Sequence, residues 1–396
     1  MAQQQKTEET ESIVSAVGSF NRKDLKPSVT TITADDGSVF FEELSSDGTF
    51  QARKVGQKKD MSYLHRTKKS VTIDTSPVPR FRADDPYMAA FLQEHGYVVV
   101  KGVLESKEVA VAHDKLWEFL ESTFEWKRHD PETWTSFYQM GMPHNGIIHD
   151  GGVGQCDLQW YIRCLPKVQQ AFRTVWGQQT KGDKESLELL TSFDGINVFR
   201  PWQYKPGWKT RDGWSHVDQG FKLQGFHCVQ GLVTLTDATT MTGGFVAVPK
   251  SHKFHSAFIN YHATTNRNFV RIPLNSPGLP TEMHHQLRFV SAQAGDLILW
   301  DSRTIHANIP ALEKPSMAPS TELLRAVSYV CMTPKHLATP AVLQERRGAF
   351  EEGETTGHWP HLSPGRYGED AGKPDTPPPE TPKLNKAPEA IRRLVG

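Results

Sequence analysis

From Ser192 to Met332 the apolar residues come in short runs separated by turns, and this pattern constrains the fold more than any other feature. The runs are Phe193 to Phe199, Phe226 to Leu235, Phe245 to Pro249, Phe269 to Leu274, Leu287 to Val290, Asp296 to Trp300 and Leu324 to Met332. They are rich in β-branched and aromatic residues and too short for amphipathic helices, so they read as strands. Many short strands must bury their faces against one another, which predicts a β-sandwich or barrel. Helical signals lie upstream. Asp85 before Pro86 is an N-cap with proline in the first turn, and that helix runs to Gly96. Tyr97-Val98-Val99-Val100 then reads as a buried strand. Ser106 opens a second helix with Val109, Ala112, Leu116, Phe119 and Leu120 on one face. A third starts at Pro166, spaces Val168, Phe172, Val175 and Trp176 helically, and stops at Gly177. The expected class is mainly β with flanking helices.

Composition sets the limits of that domain. Hydrophobic residues make up 37% of the chain, low for a wholly globular protein, so part of it should lie outside the core. Residues 1–80 are polar and read as a flexible N-terminal segment, residues 81–345 as the domain, and residues 346–396 as a tail with a proline-rich stretch from Lys373 to Lys383. Lys plus Arg (45) equals Asp plus Glu (45), so no net field draws the chain to nucleic acid or an anionic membrane. The basic groups Arg53-Lys54, Lys58-Lys59 and Lys68-Lys69 read as solvated. Cys156, Cys164, Cys228 and Cys331 lack CxxC spacing, which points to a reducing compartment. Met1 to Ser12 has no apolar signal region, no run is long enough to span a bilayer, and Arg393 to Gly396 is not a peroxisomal address. A soluble, cytoplasmic protein acting on a small molecule is expected.

Seventeen histidines make chance pairs common, so context decides. His216 and Asp218 in Trp214-Ser215-His216-Val217-Asp218-Gln219 are two apart and leave the same face of an extended segment. An imidazole beside a carboxylate supplies two ligands of a 2-His-1-carboxylate facial triad. Alone, His-x-Asp is a weak signal. The third ligand has to come from a distant, facing strand, and His306 stands at the far end of the Asp296 to Trp300 run. Its bland alternative is a hydrogen-bonded core histidine, against which stands its polar setting of Asp301, Arg303 and Asn308. Arg325 lies within the apolar run Leu323 to Val330, where its charge requires an anion. Its planar fork suits the distal carboxylate of a dicarboxylic acid, although a buried Asp or Glu would also satisfy it. His252 and His255 read as structural. The pairs His113-Asp114, His129-Asp130 and His149-Asp150 lack the ordered second set of ligands that a metal phosphohydrolase needs.

The order His-x-Asp, turn-strand-His and strand-borne Arg resembles the phytanoyl-CoA dioxygenase-like family of Fe(II)/2-oxoglutarate-dependent oxygenases. Gly96 to Val100 is similar to the family's entry strand. Thr234 to Thr240, Gly243-Gly244 and Val248-Pro249-Lys250-Ser251-His252 are similar to its decorated turn and the passage after it, with Lys250 where a glycine is usual. The likeness covers about residues 85 to 335 and rests on the ordered set of motifs. It implies a double-stranded β-helix, a jelly-roll or cupin-like core, with Fe(II) in its mouth and 2-oxoglutarate and O2 as co-substrates. It also implies metal ligation by His216, Asp218 and His306, with Asn308 and Asn197 as further 2-oxoglutarate contacts. The family's arginine lies nearer its second histidine, at the position of Met317 here. The Pro310 to Glu322 loop is therefore expected to be longer, with Arg325 taking the role.

The implied reaction decarboxylates 2-oxoglutarate to succinate and CO2 and oxidises a C–H bond of a small organic substrate. Hydroxylation is the default outcome, and the carboxylate at Asp218 leaves no vacated ligand position for a halogenase. Candidate pocket walls are Trp134, Phe137, Tyr138, Trp202, Tyr204, Trp208 and Trp214, with Arg200 and Arg211 as possible anion contacts. Ordinary packing would explain any of these. The rival readings are a zinc-dependent hydrolase using the same two histidines and aspartate, which would not need Arg325, and a non-catalytic jelly-roll ligand-binding protein. A nucleic-acid demethylase is disfavoured by the absence of a basic stripe.

Overall fold

A computed structural model describes residues 71–135, 137, 140–178, 187–263, 267–313, 322–365 and 383–396, and the backbone of three strands before them. Those strands, β1 (Thr31–Thr33), β2 (Ser38–Leu44) and β3 (Phe50–Gln57), form an antiparallel sheet within the unit Met1–Lys69. The polar average of this stretch conceals local β-forming runs such as Ser38 to Leu44. The second unit begins at Ser70, earlier than the residue 81 that composition suggests.

In that second unit the chain runs through β4 (Thr72–Asp74), β5 (Arg80–Phe81), α1 (Pro86–His95), β6 (Tyr97–Val100), α2 (Ser106–Phe124), β7 (Gly141–Met142) and β8 (Ile147–Ile148). Next come α3 (Asp157–Cys164), α4 (Pro166–Trp176), β9 (Leu189–Thr191), β10 (Ile196–Phe199), β11 (His216–Val217), β12 (Val229–Thr234) and β13 (Gly244–Ala247). Then follow α5 (His255–His262), β14 (Val270–Arg271), β15 (Gln286–Phe289), β16 (Leu297–Asp301), β17 (His306–Ile309), β18 (Arg325–Tyr329), β19 (Met332–Pro334), α6 (Pro340–Glu351) and α7 (Glu389–Val395).

Two sheets face each other as the jelly roll. One has the order β5-β6-β16-β12-β18-β10-β8-β7 and the other β14-β11-β17-β13-β15-β4. Strand periodicity divides the core into layers. Tyr97, Val99, Leu232, Ile298, Trp300 and Val327 point inward and meet Phe245, Ala247 and Val290 of the opposite sheet. Their alternates Val98, Val100, Val229, Val233, Leu297 and Leu299 point outward and pack against helices α2 and α4 through Leu116, Leu120, Phe172 and Val175. The eight-stranded sheet is thus buried on both faces, which explains the unbroken apolar run Tyr97 to Val100.

The expected helices at Pro86 and Pro166 are present, and Asp85 accepts the Tyr87 N–H at 2.9 Å. The N-cap of α2 is Glu105 rather than Ser106, its backbone N–H donating to the Glu108 carboxylate at 2.7 Å. Gly96 ends α1 in the left-handed region at φ 83°, and a Cβ there would collide with His252 and Thr304. Lys250 adopts φ 66°, so the turn keeps the conformation a glycine would take despite the side chain. Its N–H donates to His95 O at 2.9 Å and its ammonium pairs with Glu94 at 2.8 Å.

The stretch after residue 345, expected as a tail, continues α6 and ends in α7, with Leu394 and Val395 buried. The physical cause is Arg346. Buried and unmatched by any carboxylate among the described residues, it donates to the backbone carbonyls of Thr191, Pro360, Leu394 and Val395 at 2.7–3.1 Å. The proline-rich stretch falls outside the described residues except for Lys383. Among the described residues, no helix is long and apolar enough to cross a membrane.

Candidate metal centre

Pairing of β11 with β17 sets His216 directly opposite His306. Asp218, just past β11, is fixed by its N–H donating to Ser302 O at 3.1 Å, while the Gln219 side chain ties down the loop that follows through Leu223 O and Gly225 O. One ligand atom from each of His216, Asp218 and His306 lies within 4.8 Å of the others, and all three residues are buried. Nε2 of His216 and of His306 stand 3.6 and 3.3 Å from the Asp218 carboxylate. Nδ1 of each imidazole faces a backbone carbonyl, Trp214 O at 3.1 Å and Thr304 O at 2.9 Å. With the proton on Nδ1, each ring offers its Nε2 lone pair to the common point, as a metal ligand must.

Electrostatics prepare the same state. Burial pushes the Asp218 carboxyl upward, but the proximity of the His216, His358 and His306 rings outweighs it and holds Asp218 well below the usual carboxylate range. Gln230 Nε2 also donates to Asp218 at 2.9 Å. Burial, reinforced by the His306 ring, lowers His216. An ionised carboxylate and neutral imidazoles form the facial donor set of non-haem Fe(II).

The three side chains open onto a cavity of about 320 Å³, at the small end of ligand sites. Trp214 stacks on His216 at 4.8 Å and donates its indole N–H to Asn308 O at 2.9 Å. Phe269 tilts over His216 at 4.6 Å, and Trp300 and Phe245 pack against His306. Asn308 and Tyr329 line the wall, Asn308 Nδ2 reaching the Tyr329 hydroxyl at 3.4 Å.

Arg325, the first residue of β18, lies beyond that wall and is 1% exposed. Its Nη1 donates to Asn197 Oδ1, while Nε and Nη2 have no partner. The Phe199 ring lies 5.0 Å from its Cζ. No carboxylate pairs with it among the described residues, so the buried Asp or Glu that sequence left open is absent there. Burial lowers its affinity for a proton and the Tyr329 hydroxyl opposes that shift. A buried cation with two unpaired donors fits a carboxylate ligand. The Asn308 Oδ1 atom is likewise buried without a partner. The loop expected from Pro310 to Glu322 lies mostly outside the described residues.

Several expected walls belong elsewhere. Trp134, Phe137 and Trp208 pack around Arg200, which is buried, donates to Trp134 O at 2.7 Å and sits 4.7–4.8 Å from the Phe137 and Trp208 rings. Trp202 and Tyr204 pack against the helical core. Tyr138 falls outside the described residues. Trp214 and Arg211 do line the cavity. Residues that sequence reasoning missed there include Met142, Asp194, Phe269, Arg271 and His358. Arg303 is chelated by Asp301 at 2.6 and 2.9 Å. His252 and His255 bond Gln93 O and Gln219 O at 2.9 and 2.7 Å, a structural use.

The model of the phytanoyl-CoA dioxygenase (PhyH) family matches residues 92–310, more than half of the chain. The chain belongs to that family. It is an Fe(II)/2-oxoglutarate-dependent oxygenase, and Fe(II) and 2-oxoglutarate are its cofactors. Among curated proteins it is 26% identical to the Ava biosynthesis cluster protein O of Aspergillus versicolor, over 67% of this chain and 83% of that one. Among solved structures it is similar in fold to the hypothetical protein JW0805 of Escherichia coli, 15% identical, covering 81% of this chain and 86% of that one with a TM-score of 0.51. A further match is EctD from S. alaskensis, solved with 2-oxoglutarate and 5-hydroxyectoine. It is 14% identical and covers 64% of this chain and 77% of that one, with a TM-score of 0.40.

Proposed function

We propose that this oxygenase hydroxylates a C–H bond of a small organic substrate, with His216, Asp218 and His306 holding the metal and Arg325 anchoring 2-oxoglutarate. The observation that carries the reading is the buried His-Asp-His group on a cavity whose wall residue Tyr329 interacts with Arg325, a buried arginine with two unpartnered nitrogens. When bound, the iron and 2-oxoglutarate would activate O2, the oxidant, with one oxygen atom passing to succinate and the other to the substrate and with release of CO2. This chain's own residues bind, orient and exclude. Backbone carbonyls at Trp214 and Thr304 hold both imidazoles in the ligating tautomer. Gln230 fixes the Asp218 carboxylate. Arg325, steadied by Asn197, meets the carboxylate remote from the metal, and Asn308 and Tyr329 line the path between them. Trp214, Phe269, Phe245 and Trp300 keep water from the reacting bond.

Asp218 occupies the position that a halide would need, which supports hydroxylation over halogenation. A zinc hydrolase would have no use for the unpaired Arg325 fork, and a non-catalytic binding protein would have none for the intact His-Asp-His group. The test is an anaerobic titration with Fe(II) and 2-oxoglutarate, followed by succinate detection across a metabolite panel. The parent protein should bind one iron and develop the metal-to-ligand charge-transfer band. His216→Ala and His306→Ala should lose both while keeping the parent's far-ultraviolet circular dichroism. Full succinate production by either variant would refute the ligand assignment.

A further inference from the structure

The cavity carries polar atoms, Gln230 Oε1 among them, that make no bond to the His-Asp-His group or to Arg325. His358 reaches its wall from a segment beyond the stretch matched by the family. That segment is held tightly. Gln155 Nε2 donates to Glu354 O at 2.8 Å, Thr356 N to Phe193 O at 2.8 Å, and Gly154 N to Thr355 Oγ1 at 3.0 Å. Cys228 Sγ donates to His358 O and Arg346 Nη1 to Pro360 O, both at 3.1 Å. Yet His358 Nε2 is buried with no hydrogen-bond partner, and so is Gln230 Oε1 on the same wall. Asp194 lines the cavity too, its carboxylate accepting only the Gly195 N–H among the described residues, at 2.9 Å. Burial raises the Asp194 carboxyl and the His358 ring opposes the rise, so the two side chains feel one another.

Resting on the oxygenase reading above, we propose that Asp194, His358 and Gln230 form a substrate subsite for a hydrogen-bond-donating group, an amine, amide N–H or hydroxyl, on an otherwise apolar molecule. Charge separates this pole from the co-substrate. A dianion is drawn to the Arg325 end and repelled by the Asp194 carboxylate. The Asp194 carboxylate and the Gln230 carbonyl are acceptors, and His358 Nε2 is a further polar atom beside them. Gln230 Oε1 and His358 Nε2 are buried without a partner, a cost that a hydrogen-bonding ligand would remove. Trp214, Phe245 and Phe269 supply aromatic wall beside it, and Arg211 and Arg271 also line the cavity.

The test uses the full chain loaded with Zn(II) and 2-oxoglutarate and follows binding by saturation-transfer NMR. The probes are phenethylamine, 2-phenylethanol and 3-phenylpropionate, which share a ring and differ in the polar group. The amine and the alcohol should bind, and the carboxylate should bind at least about tenfold more weakly. His358→Ala and Asp194→Asn should each weaken the amine and alcohol by roughly tenfold, with His358→Gln recovering part of the loss. None of these variants should alter 2-oxoglutarate affinity, which also reports that they are folded. Equal binding of the three probes, binding of none, or unchanged affinity in both His358→Ala and Asp194→Asn overturns the subsite. Weakened 2-oxoglutarate binding in His358→Ala also overturns it, by giving the group to the co-substrate. Failure of 2-oxoglutarate to bind the parent would overturn the oxygenase reading, and the subsite with it.

Discussion

Replacing Arg325 by methionine should separate two effects that usually move together. In the ligand-free protein Arg325 is a liability: a guanidinium 1% exposed, with Nε and Nη2 unpaired. Each unsatisfied buried donor costs about 1–3 kcal/mol. Methionine follows the aliphatic stem but stops short of the guanidinium; it removes both, while leaving Asn197 Oδ1 without its donor, a loss of the same size as one of them. The ligand-free variant should therefore melt no lower than the parent. Binding of 2-oxoglutarate should move the opposite way. Losing one partner of a buried charge pair costs about 2–5 kcal/mol, or roughly thirty- to several-thousand-fold in affinity. Iron binding should hardly change, because the metal ligands lie on β11 and β17 rather than β18. The assay pairs thermal melting without ligand with an anaerobic 2-oxoglutarate titration on the Fe(II) protein. Arg303→Ala is the control, since that guanidinium is already chelated by Asp301 at 2.6 and 2.9 Å. A destabilised Arg325→Met protein that binds 2-oxoglutarate normally would make Arg325 a structural residue. A crippled Arg303→Ala protein beside a normal Arg325→Met one would move the anchor to Arg303.

Deleting residues 1–69 should leave the iron site competent, whereas deleting 1–81 should not leave the domain equally stable. The longer deletion removes β4, β5 and the Arg80 guanidinium, whose two bonds to Asp296 are each 2.8 Å, for a loss of about 2–3 kcal/mol or more. Equal urea midpoints for the two truncations would contradict this. Burial, then the charges of His227 and Arg346, lowers His361 from 6.5 to about 4. The unfolded chain takes up this proton below pH 6.5 and the folded chain only near pH 4. The contribution is thus full above pH 6.5 and lost on acidification at up to about 1.4 kcal/mol per pH unit, about 3 kcal/mol in all. His361→Phe should flatten the pH dependence of urea unfolding by one proton between pH 6.5 and 4, and an unchanged slope would refute the assignment.

What the chain discloses in advance depends on whether the deciding interaction is local. Strands announce themselves by period and turns, so the runs from Phe193 to Met332 foretold most of the two sheets. The His-Asp-His group was legible for a related reason. His-x-Asp is a local pattern, and a histidine closing an apolar strand can meet it across a sheet pair, as β11 and β17 do in setting His216 opposite His306. Arg325 stood out because a charge inside an apolar run demands explanation. The cavity wall was not legible, since its aromatic residues come from separate strands. Trp134, Phe137 and Trp208 are drawn away by Arg200, a preference that spacing does not encode. Helix α3 was hidden because Gln159 and Arg163 are buried on it and blur its apolar face. Least legible was the C-terminal region. Its composition is that of a solvated tail, and its order depends on Arg346 finding four carbonyl oxygens spread from Thr191 to Val395. A guanidinium satisfied wholly by backbone carbonyls has no complementary acidic residue to betray it in sequence. The same clamp secures Pro360 and so holds His358 against the cavity, a polar group that sequence could not nominate.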